Sequence, residues 1–220
     1  MSACCSGPDC GAAAPGQRYR GVLWIALIVN AVMFVVEVIG GVAAGSSSLQ
    51  ADSLDFLGDA ANYGLSLFVL AAAVTVRARA SLLKGTTMAA FGCWVIGHAI
   101  YASSTGSVPE PMVMSVIGVI ALATNVGVAL LLYRYRSGDS NMRSVWICSR
   151  NDAISNLAVV GAAAGVFTTH QGWPDIAVAL IMGVLSLAGA AQIIRHARQE
   201  LEAAHDGASA DGRAVVTLPR

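Results

Sequence analysis

Six stretches of this chain are long and apolar enough to cross a bilayer, and that feature leaves few folds open. They run over about 21–44, 49–76, 86–104, 112–133, 145–168 and 174–194. A spanning helix needs roughly 20 mostly apolar residues. In lipid every backbone N–H and C=O must be satisfied inside the protein, so segments of this length read as helices. The expected fold is all-α: a polytopic membrane protein with six transmembrane helices. Composition agrees, with 56% of the 220 residues hydrophobic and 12% charged, against about a quarter charged in a soluble domain. The first run is too long for the apolar core of a signal peptide and contains Glu37, so it reads as a retained helix.

The loops fix an expected orientation. All 13 basic residues fall on one side: Arg18 and Arg20 before the first run, Arg77, Arg79 and Lys84 between the second and third, Arg134, Arg136, Arg143 and Arg150 around the fourth connection, and Arg195, Arg198, Arg213 and Arg220 after the sixth run. The opposite loops, "GSSS", "SSTGSVPEP" and "THQGWPD", have none. The positive-inside rule then puts both termini in the cytoplasm. Residues 1–17 read as a disordered Cys-containing tail, 18–196 as a six-helix transport domain, and 197–220 as a short, mostly disordered tail. The "RHARQELEAAHD" segment extends the last helix briefly. A net charge of zero gives no argument for nucleic-acid binding.

Within the second run, "LQADSLDFLGDAANYG" carries three aspartates. Asp55 and Asp59 are spaced i,i+4 and share a helix face; Asp52 lies on the same side, nearer the outer surface. By helix rise Asp55 lies roughly 10 Å deep and Asp59 roughly 15 Å, about the middle of a ~30 Å core. On the fifth run, in "CSRNDAISNLAVV", Asp152 and Asn156 repeat the i,i+4 spacing. An antiparallel pairing brings Asp59 and Asn156 to similar depth. Carboxylates at mid-bilayer are costly and mark ion or proton pathways. Two such pairs can give four ligands to one divalent cation, and without the metal the aspartates take up protons. One site that holds either metal or protons is the basis of metal–proton exchange.

At these residues the chain resembles the cation diffusion facilitator family. The resemblance rests on "NAVMFVVEVIGGVAAGSSSLQADSLDFLGDAANYGLSL", "SRNDAISN" and "GWPDIAVALIMGVLSLAGA", and covers about residues 20–196. It implies six helices, cytoplasmic termini, a homodimer, and export of divalent metals from the cytoplasm, commonly against protons. It implies a metal site of two ligands on the second helix and two on the fifth, here Asp55, Asp59, Asp152 and Asn156. Two departures stand out. Asn156 replaces the usual aspartate and no histidine stands at the four positions. The tail also leaves no room for a cytoplasmic C-terminal domain, so dimerisation falls to the membrane helices. An all-oxygen site suits manganese, iron or cobalt by ligand softness; the resemblance points to zinc, cadmium or cobalt, with manganese, iron and nickel next. The metal is the substrate and no cofactor is expected.

Secondary candidates surround this core. His98, counted to near the level of Asp55, is either a proton relay or extra metal ligand, or a satisfied interhelical histidine. Asp52 either joins the site or caps the outer helix end, and Glu37 either lines the exit or reaches the interface. Asn30 and Asn125 read as interhelical hydrogen bonders, and Cys93 and Cys148 as packing residues. Cys4, Cys5 and Cys10 form a soft ligand set for cytoplasmic metal capture, or an incidental cluster. The expected function is a divalent-metal efflux transporter, with metal/proton antiport, in a bacterial inner membrane. A passive metal channel or a membrane metal sensor is the alternative. No additional base accompanies the four ligands, so an enzyme is not expected.

Overall fold

The structure is a computed structural model, and it describes residues 17–69, 73–134 and 140–216. Six long helices carry the described chain: α1 (Gln17–Ala44), α2 (Ser47–Gly64), α3 (Val74–Thr105), α4 (Pro111–Tyr133), α5 (Ser140–Thr169) and α6 (Trp173–Val216). No strand occurs among the described residues. The α2 helix runs on into a wider π turn over Leu65–Val69. The α6 helix continues to Val216, well past the brief extension expected from its sequence.

The helices alternate in direction. The Glu110 N–H donates to the Ala44 carbonyl at 2.9 Å, which joins the α3–α4 loop to the end of α1. Gly172, just before α6, approaches the Ser107 carbonyl so closely that a Cβ there would lie 2.3 Å from it. The α1–α2, α3–α4 and α5–α6 loops therefore share one end of the bundle. Among the described residues, every lysine and arginine belongs to a helix segment toward the opposite end: Arg18, Arg20, Arg77, Arg79, Lys84, Arg134, Arg143, Arg150, Arg195, Arg198 and Arg213.

Polarity and burial run opposite to the pattern of a water-soluble protein. The α1 helix exposes Ile25, Ile28, Val32, Val35, Ile39 and Val42, a continuous apolar stripe. The least apolar helix, α2, is the most enclosed and touches every other helix. Four helices contain segments long and apolar enough to cross a membrane: Arg18–Ala44, Pro111–Tyr133, Asp152–Thr169 and Trp173–His205. The α2 helix misses that standard because of its three aspartates and its serines. A helix surrounded by other helices has no need of an apolar surface. The α3 helix starts with Arg77, Arg79 and Lys84 ahead of its apolar part.

Two apolar clusters cap the bundle interior. At the loop end, Leu49, Ala51 and Leu54 of α2 pack with Val95 and Ala99 of α3, Met114 of α4 and Val159, Ala162 and Val166 of α5. At the basic end, Tyr19, Leu23 and Ala26 of α1 pack with Tyr63 of α2, Leu67 and Val128 and Leu132 of α4. Met33, Phe56 and Ala121 form a small cluster between them.

The outer start of α2 is held by α6. Gly45, in a left-handed conformation at φ 65°, ends α1 and turns the chain. Ser46 then caps α2 by accepting from the Leu49 N–H at 3.2 Å. Asp175, in the first turn of α6, accepts from the Ser46 hydroxyl (2.7 Å), the Ser47 N–H (2.7 Å), the Ser48 N–H (3.0 Å) and the Ser48 hydroxyl (2.6 Å). A carboxylate here satisfies two otherwise unpaired N–H groups and faces the positive end of the helix dipole. Asp175→Ala should cost on the order of 3 kcal/mol, because it strands several buried donors at once. Thermal unfolding in detergent should show a Tm drop larger than that of Asp175→Asn; equal Tm values for all three proteins would remove the clamp from this account.

Candidate metal site

The acidic stripe of α2 faces inward. Asp52 is fully buried and Asp59 is 4% exposed, while Asp55 is half-buried. By helix geometry Asp52 and Asp59 lie within about 20° of each other around the axis, and Asp55 about 60° aside. The register against α5 is set by one contact. The Asn156 amide donates to Asp52 Oδ1 at 3.2 Å and to the backbone carbonyl of Asp152 at 2.9 Å.

That register differs from the one counted along the sequence, which put Asn156 beside Asp59. The contact falls two turns further out. The reason lies at the helix start, where α2 begins at Ser47, held by Ser46 and Asp175, and sits deeper than its apolar run suggests. Counting from the Asp52–Asn156 contact, Asp55 lies about 4.5 Å and Asp152 about 6 Å toward the basic end, and Asp59 about 10 Å. Asp55 and Asp152 thus share a level on facing helices. Among the described residues, no three His, Cys, Asp or Glu side chains are gathered closely enough to hold a metal ion.

Each aspartate has a distinct environment. The Tyr63 hydroxyl donates to Asp59 Oδ2 at 2.7 Å, and both residues are buried at the edge of the inner apolar cluster. Tyr63 was absent from the sequence candidates, although its i+4 spacing from Asp59 is the same signal that pairs Asp55 with Asp59. On the other side of Asp52 stands Glu37 of α1, 0% exposed, in carboxyl-to-carboxyl contact with it. Neither Glu37 oxygen accepts a hydrogen bond from an N–H or hydroxyl among the described residues. Glu37 therefore belongs to the buried interior rather than the outer interface.

The remaining candidates fall around this stripe. The His98 ring nitrogen Nδ1 lies 2.9 Å from the Ser47 hydroxyl. That is about 12 Å outward of Asp55 along α2. The α3 helix begins well before its apolar run, so counting from the run sets His98 too deep. Asn30 donates to the Ala26 carbonyl of its own helix at 2.8 Å, and its Oδ1 is unsatisfied. Asn125 is buried on α4 with neither amide atom hydrogen-bonded among the described residues. Shared packing of Ala26 with Val128 and of Met33 with Ala121 brings Asn30 and Asn125 to one level. Cys93 is exposed on α3 rather than packed. Cys4, Cys5 and Cys10 and the Cys148 side chain lie outside the described residues.

The arrangement is a polar belt sealed above and below by apolar side chains. Its ligand atoms are overwhelmingly oxygens, most of them from carboxyl groups. Such a set suits a small hard or borderline cation.

Residues 23–201 match the sequence family described as the cation efflux transmembrane domain. Among curated proteins, the metal cation efflux system protein CzcD of Cupriavidus metallidurans is 27% identical over 186 residues, covering 77% of this chain and 57% of that protein. The cation efflux system protein CzcD of an Alcaligenes strain matches with the same identity and coverage. The chain thus spans less than two thirds of the length of these relatives.

The Tyr63–Asp59 bond has a measurable consequence. Tyr63→Phe keeps the packing and removes the only feature that differs, the hydroxyl. It should lower stability in detergent by about 1–3 kcal/mol, the cost of leaving a buried carboxylate short of a donor. A Tm matching that of the unaltered protein would show that Asp59 does not depend on this hydroxyl.

Proposed function

Since this chain belongs to the cation efflux family, we propose that it exports divalent transition-metal ions from the cytoplasm in exchange for protons. It is an integral multi-pass membrane protein. In this reading all six helices span the bilayer, with both termini and the basic end cytoplasmic. The observation that carries the reading is the register of α2 against α5, which sets Asp55 level with Asp152 and Asp59 one turn further in.

The metal loads from the basic end at Asp55, Asp59 and Asp152, displacing their protons. Asn156, grouped with them by spacing, stands one turn outward beside Asp52. Ion binding offsets the repulsion of carboxylates confined in a dehydrated belt. Helix rearrangement then opens the belt to the other side, where protons replace the metal and return inward. The apolar clusters above and below the belt support a carrier over an open channel, because a channel needs a continuous wet path. Zinc, cadmium and cobalt lead the range proposed here, followed by manganese, iron and nickel. The chain acts as a homodimer through its membrane helices and has no catalytic activity.

Reconstituted liposomes carrying a metal-sensitive dye and a pH-sensitive dye test the reading. External zinc, cadmium or cobalt should enter through inverted protein with simultaneous proton movement the other way. Asp55→Ala and Asp59→Ala should reduce metal entry to that of protein-free vesicles. Undiminished flux in Asp59→Ala would sink the site, and flux without a pH signal would sink the exchange.

A further inference from the structure

Among the described residues, four of the eight buried side-chain polar atoms without a hydrogen-bond partner lie on the outer side of the proposed transport site. They are Glu37 Oε1 and Oε2, Asp52 Oδ2 and Asn156 Oδ1, all on residues with 0% exposure. The residues come from three helices, α1, α2 and α5. Asp52 is the hub: its carboxyl meets that of Glu37 on one side and receives the Asn156 amide on the other. The lysine and arginine residues whose side chains are described lie toward the basic end.

Two carboxyl groups in a dry interior need positive charge or hydrogen-bond donors. With Asp52 Oδ1 held by the Asn156 amide, one shared proton serves Asp52 Oδ2 and one Glu37 oxygen, and leaves the other Glu37 oxygen and Asn156 Oδ1 unmet. A divalent cation balances two carboxylates and accepts several oxygens at once, including a neutral amide oxygen. Turned over, the Asn156 amide would offer Oδ1 where it now offers Nδ2, giving up its bonds to Asp52 and the Asp152 carbonyl in exchange for the cation. From this accounting we infer that Glu37, Asp52 and Asn156 form a second divalent-cation station, outward of the transport site. Its donor set is oxygen only. Along α2 it stands about 8 Å from the midpoint of Asp55 and Asp59. The inference rests on the transport reading for its place in an exit path, but not for its ability to bind an ion.

The station has two consequences for transport. A second ion position lets the cation leave the belt in two short steps, each with partial coordination, instead of one long step through apolar packing. It also explains why a glutamate is held inside α1 with no hydrogen-bond donor among the described residues.

Equilibrium dialysis of the full chain in nanodiscs against Mn2+, a probe suited to oxygen ligands, measures ions bound per chain. The unaltered protein should bind two. Glu37→Gln and Asp52→Asn should each bind one, and Asp59→Ala should also bind one through loss of the other site. Glu37→Gln with Asp59→Ala should bind none. Both amide variants keep the size of the side chain they replace, and either one suffices if the other folds poorly by thermal unfolding. An unchanged count in both Glu37→Gln and Asp52→Asn would overturn the station and leave the pair as a proton-bound contact. An unchanged count and unchanged flux in Asp59→Ala would instead overturn the transport site, while the Glu37 and Asp52 results would still decide the station.

Discussion

Carboxyl groups cannot stay charged and unpartnered where water is excluded, and the architecture of this protein is organised around that constraint. The α2 helix carries Asp52, Asp55 and Asp59, and the other helices enclose it. The apolar residues that a soluble protein would bury are turned outward on α1, α3, α4 and α6. Lipid takes the place of water outside, and the polar chemistry is moved to the middle. Such a helix is stable only because its backbone is satisfied internally and its ends are capped by neighbours.

Those caps do more than finish a helix. Asp175 fixes how far α2 reaches toward the loop end, and that depth sets which side chains of α5 stand opposite which aspartates. The contact between Asp52 and Asn156 follows from that placement. A bond between the first turns of α2 and α6 therefore controls the register of a belt several turns away.

Much of this was legible in the sequence, because helices are local. Six apolar runs marked the helices, and the i,i+4 spacing of Asp55 with Asp59 and of Asp152 with Asn156 marked a shared face on each. The segregation of Arg and Lys marked one end. What the sequence did not contain was the register between helices. Asp175 lies 127 to 129 residues from the serines it holds, and no local periodicity reports such a pairing. The same gap explains His98, whose partner Ser47 is set by the true start of α3, and Glu37, whose inward orientation depends on how α1 packs on α2. Tyr63 is different: its i,i+4 spacing from Asp59 stands in the sequence, and a search for ligands alone passes over a hydroxyl donor.

The attachments of α2 are unequal. Three side-chain bonds tie it to α3, through Ser47–His98, Gln50–Trp94 and Asn62–Lys84, and Asp175 ties it to α6. Toward α5, whose most extensive packing is with α4, the side-chain bond described is the one between Asp52 and Asn156. The two sides of the proposed binding belt thus stand on different helices. An ion lodged between them would join those helices, so that parting them and letting the ion go become a single mechanical event.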